Sequence, residues 1–111
     1  MNLNPILDYL RQTVLGEIDM ALEALVAKGA PADEVESGRR HRADVVEMIQ
    51  MRHGPDAMAS YLRRRADRLE SIPMPLAPDE RAFVEAHAPW CRSAAKTLKR
   101  ASVFVADPLA A

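Results

Sequence analysis

One cysteine, Cys91, stands in 111 residues, so no disulfide can close within the chain and the thiol count fits a reducing, cytoplasmic setting. Aromatic residues are scarce at 5%, which takes away much of the vocabulary of strands. The four glycines, Gly16, Gly29, Gly38 and Gly54, are scattered, and no loop can cradle a phosphate with them. No apolar run approaches the ~20 residues that span a bilayer, and the start MNLNPILDYL lacks the basic region of a secretion signal. Neither membrane insertion nor export is expected.

Charge of one sign is also missing, since the net is -1, but the charges are unevenly placed. Residues 1 to 37 hold seven acids against two bases, and residues 38 to 100 hold thirteen bases against eight acids. Two arginine clusters dominate the basic part: Arg39, Arg40 and Arg42, then Arg63, Arg64, Arg65 and Arg68.

What is plentiful is alanine, leucine and methionine at helical spacing. Asn4 and Pro5 read as an N-cap and a first-turn proline. Leu7, Leu10, Val14, Ile18, Ala21 and Leu25 then form a stripe that ends near Lys28, where Gly29 and Pro31 stop the helix. A second helix opens at about Asp33; its first half is polar on nearly every face and contains Gly38, and its second half packs through Val45, Val46, Met48 and Ile49. Gly54 and Pro55 break the chain before a third stripe, Met58, Tyr61, Leu62, Ala66, Leu69 and Ile72, so helices two and three are expected to pair as an antiparallel hairpin. The prolines of residues 73–78 make a stiff internal linker. Asp79 then caps a short helix to Ala86, and Pro89 is expected to restart the chain into a last helix with the seam Cys91, Ala94, Leu98, Ala101 and Val105. Residues 106–111 read as a flexible tail. The fold expected is all-α: one domain over residues 1–111, a compact bundle of four main helices plus one short helix.

Groups that could carry chemistry do not converge in the sequence. His87 and Cys91 have a metal-ligand spacing, but Pro89 lies between them and His41 and His53 are remote, so no metal and no cofactor are expected. A lone thiol on an apolar seam is inert, and Asp33 with Glu36 and Asp79 with Glu80 are accounted for as acids at helix N-termini. Catalysis is not expected.

Binding is what remains. The segment around Gly54 has the outline of a helix-turn-helix with an arginine-rich second helix, which offers nucleic acid as the alternative partner. Asp56, Asp67 and Glu70 interleave with those arginines, and Arg65 leans toward the seam, so the outline is imperfect. The densely charged residues 34 to 44 have little core to serve, which a docking surface would explain. Met51 falls off its helix stripe and is expected at the surface. The sequence therefore points to a protein-protein interaction module, an adaptor, inhibitor or assembly subunit of a bacterial or phage-like complex. Its partner residues are expected among Arg39, Arg40, Arg42, Met51, Arg63, Arg64 and Arg68, and the outer face of helix one, with Leu15 and Ala24, could also meet a second copy of the chain.

Overall fold

A computed structural model describes the backbone of residues 3–106 and the side chains of residues 3–101. The chain is all-α over these residues, in the order α1 (Asn4–Tyr9), a π turn (Leu10–Val14), α2 (Leu15–Ala27), α3 (Ala32–Ile49), α4 (Gly54–Glu70) and α5 (Pro78–Ala106). No helix is long and apolar enough to cross a membrane among the described residues. Contacts divide the chain into two compact units, Met1–Arg52 and His53–Ala111, each of them a helical hairpin.

In the first unit, α1, the π turn and α2 run on as one rod through residues 4–27, with helical backbone at both junctions. The π turn follows from the spacing of the buried side chains. Ile6, Leu10, Val14 and Ile18 recur at strict four-residue steps. At about 100° per residue, three such steps in a plain α-helix would carry Ile18 roughly 120° away from Ile6. A π turn takes up one extra residue and cuts that drift to roughly 20°, which returns all four to one face. Deleting Gln12, exposed within the π turn, is accordingly expected to cost less than about 1 kcal/mol in a urea titration, because steps of four, three and four keep the stripe together. Deleting the equally exposed Ala21 swings residues 22–27 by about 100° and is expected to cost clearly more.

The rod ends at Ala27, with Lys28 as C-cap and Gly29 at φ +71, the left-handed geometry that glycine adopts without a Cβ penalty. Its start is one residue earlier than the sequence indicates: Leu3 is the N-cap and Asn4 the first helical residue. Arg42 and Gly38 of α3 lie beside Asp19 and Leu22 of α2, so the two helices run antiparallel.

The second unit is the hairpin of α4 and α5. The hairpin expected of helices two and three, from about Asp33 to Ile72, straddles the break between Arg52 and His53 and is neither of these two. Met58, Ala59, Tyr61, Leu62, Arg65 and Ala66 are buried on α4, and Ala88, Cys91, Ala94, Ala95 and Leu98 on α5. Small residues on both helices permit a close approach. Ion pairs Lys99 to Asp56 (3.6 Å) and Arg92 to Asp67 and Glu70 (2.9 Å each) set the antiparallel register.

One expectation is overturned here. The separate short helix Asp79–Ala86 does not exist as such: residues 78–106 are a single helix with Pro89 inside it. Pro89 deletes the hydrogen bond to the carbonyl of Glu85, but both residues are exposed, so water can satisfy the freed carbonyl. At the start of α5, Glu80 at N3 accepts a hydrogen bond from the backbone N–H of Ala77 at 3.2 Å, the one half of a capping box that an alanine N-cap can make, with Pro78 at the first helical position. Residues 71–77 are not helical, as the prolines require, and the tail expected over residues 106–111 lies outside the described residues beyond Ala106.

The Arg92 fork also has a pH signature. Its hydrogen bond to Glu70, helped by its charge, holds the Glu70 carboxyl below the ordinary 4.5 against the opposing effects of desolvation and of Asp67, while the guanidinium is pushed further up in turn. A carboxyl whose folded pKa is depressed stabilises the fold above its unfolded pKa, and that contribution is lost as pH falls through the folded value. Below about pH 4.5 the wild type is therefore expected to lose stability more steeply than Arg92→Gln, with the two curves converging in acid; parallel curves in urea titrations at each pH would contradict the pairing.

Candidate docking site on the first hairpin

No residue from Asp19 to Asp44 is buried, although both helices continue through this stretch. The core of the first unit stops at Ile18 on one helix and resumes at Val45 on the other. Beyond that level the hairpin is held by half-buried Leu22, Leu25, Val35 and Gly38 and by the ion pair in which Arg42 Nε donates to Asp19 Oδ1 at 2.6 Å.

Gly38 has a packing role that the composition of α3 does not suggest. A Cβ placed there would lie 2.7 Å from Cδ2 of Leu22, so the glycine lets α2 approach α3 closely. The clash is with the terminal methyl of a half-buried side chain that can rotate aside, and alanine gains about 1 kcal/mol of helix propensity over glycine. Gly38→Ala is therefore expected to stabilise the chain by about 0.5 kcal/mol, read as a rise in the thermal midpoint.

Between the distal halves of α2 and α3 lies an apolar groove of about 360 Å³, lined by Leu22, Glu23, Val26 and Ala27 from α2 and by Val35 and Arg39 from α3. Val26 is 59% exposed at this groove, and Met20, farther round α2, is 72% exposed. Large apolar side chains on an otherwise charged hairpin are what an interface centre requires.

The arginines singled out from the sequence have separate fates. Arg39 lines the groove. Arg40 is exposed about 100° further round α3, away from it. Arg42 is spent on Asp19 within the hairpin. Met51 is exposed, as expected, in the turn after α3 with a left-handed φ of 61°. In the second unit Arg63 donates to Ser60 Oγ at 3.4 Å, Arg64 is exposed, and Arg68 lies over the Tyr61 ring at 5.7 Å. Arg64 and Arg68 share one face of α4, and Arg63 points away from both. Arg65 is 6% exposed, its stem on the buried face.

The sequence reading missed Val26 and Met20, and it also missed a second apolar recess of about 330 Å³ lined by Leu69, Ile72, Asp79, Glu80, Phe83 and Val84. The first could have been seen as apolar residues lying off the stripe of Ile6, Leu10, Val14 and Ile18. For chemistry, the structure offers little: Cys91 is buried, His87 stacks on Phe83 with centroids 3.8 Å apart, and among the described residues no three His, Cys, Asp or Glu side chains gather as metal ligands would.

These features define an all-α protein with an uncovered apolar groove near one hairpin tip. Comparison with known proteins gives no match to a family model, a curated protein or a solved structure.

Proposed function

We propose that this is a small, non-enzymatic interaction protein of the cytoplasm, acting stoichiometrically as an adaptor, inhibitor or assembly subunit, and that it docks another protein chain through the distal half of its first hairpin. The observation that carries the reading is the 26-residue stretch from Asp19 to Asp44 that is helical at both ends yet buries no side chain. Ordering each residue costs about 1–2 kcal/mol, and two helices with one shared face recover little of it by burial. A third layer laid into the Val26 groove would supply the missing burial. Arg39 at its edge would add charge selectivity.

A photo-crosslinking residue at Val26, compared with one at exposed Gln12 on the same rod, tests the reading in the living host. Protein adducts are expected from position 26 and not from position 12; none from position 26 would refute it. A second reading, nucleic-acid binding, is favoured by one observation: Arg63, Arg64 and Arg68 stay exposed, with a hydroxyl and a ring rather than acids as the contacts of Arg63 and Arg68. A low-salt gel shift that Arg64→Ala with Arg68→Ala abolishes would support it.

A further inference from the structure

Resting on the docking reading above, we infer that the occupant of the Val26 groove is a second copy of this chain, the two hairpin ends closing a four-helix bundle about a twofold axis that runs along the hairpin. A twofold interface must be complementary to itself. This groove is. Its centre is apolar, with Leu22, Val26 and Ala27 on the α2 wall and Val35 on the α3 wall. Among the described residues two charged side chains line it, the acid Glu23 on α2 and the base Arg39 on α3, at one level of the hairpin and on opposite walls. The nearby acid Asp19 is already met by Arg42 within its own copy.

An axis parallel to the helices lays α2 of one copy over α3 of the other at the same height. Glu23 then meets Arg39 of the second copy, and Arg39 meets its Glu23, so one arrangement makes two ion pairs around an apolar centre. The Val26 side chains, 59% exposed in the single chain, lie toward the tip end of the seam, one turn beyond Glu23. A strongly acidic or basic partner would leave one of the two lining charges opposed by its own sign, which disfavours it. The architecture is also an ordinary completion of an antiparallel helix pair, because two such pairs make a four-helix bundle around one shared core.

Sedimentation equilibrium of the purified full chain from ~1 µM to ~1 mM reads the association directly. The weight-average mass is expected to rise from 12.3 kDa toward twice that value. Val26→Glu is expected to weaken association more than ~10-fold with unchanged helical circular dichroism, since the side chain is exposed in the monomer. Glu23→Arg and Arg39→Glu should each weaken self-association, because each places like charges opposite one another. An equimolar mixture of these two variants should associate again, and so should the double variant, since only a copy of the same face supplies the reversed charge. A chain that stays monomeric to ~1 mM, association that Val26→Glu does not alter, or a variant mixture that fails to associate would each overturn the inference. If the purified chain is monomeric while the crosslinker at Val26 captures a different protein in the host, docking through this face stands and the second copy is excluded. If no adduct forms and the chain is monomeric, both fall.

Discussion

Leu62→Ala is expected to lower the unfolding free energy by about 2–5 kcal/mol, a large share of the ~5–15 kcal/mol that holds a domain of this size. Leu62 has no accessible surface, and it lies on the face of α4 that buries six side chains. Removing three carbons there loses both the transfer free energy and the dispersion contacts around the cavity. Leu25→Ala at the hairpin end provides the contrast: the side chain is only half-buried, water can fill its place, and a loss of about 1 kcal/mol is expected. Urea titrations of the two variants with a common slope would measure the difference; equal losses would mean that the two hairpins are packed alike.

Ala66→Leu is the second large effect, in the opposite sense of volume. Ala59 and Ala66 on α4 and Ala88, Ala94 and Ala95 on α5 are all buried, and small residues of this kind set how closely two helices approach. Leucine has nearly the helix propensity of alanine, so the substitution isolates packing. Three extra carbons at a site with no accessible surface are expected to cost about 1–3 kcal/mol through displaced side chains or a widened helix pair. The same change at exposed Ala82, on α5 outside this seam, is expected to be silent within about 0.5 kcal/mol. A stabilised Ala66→Leu protein would show that the seam contains free volume.

These contrasts mark what was legible in the sequence and what was not. Three helix boundaries were, because stop and start signals act locally: Gly29 ends the first rod, α3 opens at Ala32, and α4 begins at Gly54 and Pro55. Burial of Cys91 and Arg65 followed from helical phase alone, while Met51 is exposed as expected but in the turn beyond α3. Pro89 misled, because its effect depends on whether the carbonyl it abandons can reach water, and that is a property of the folded surface. The π turn was hidden for a related reason: four-residue steps fit an α-helix loosely, and only three in succession require an extra residue.

The proposed docking face was half legible. A charged second helix with little core pointed to residues 34 to 44, and Arg39 does line the groove. Arg42 looked equally available but is consumed by Asp19, a residue 23 positions away that sequence spacing cannot pair with it. Gly38 looked like a weak point in its helix and proves to be the place where Leu22 fits against α3. The apolar half of the site, Val26 above all, was missed because a single apolar residue off the stripe reads as ordinary surface exposure.

Native-state hydrogen exchange of the dilute chain tests the central claim, since a helical hairpin without a covered core opens locally while a packed one does not. Backbone amides between residues 22 and 44 are expected to exchange at least ~100-fold faster than those between residues 58 and 66, with the difference shrinking as the occupant of the groove is supplied. Equal protection across both hairpins in dilute solution would show that the first is already complete and has no face left to fill.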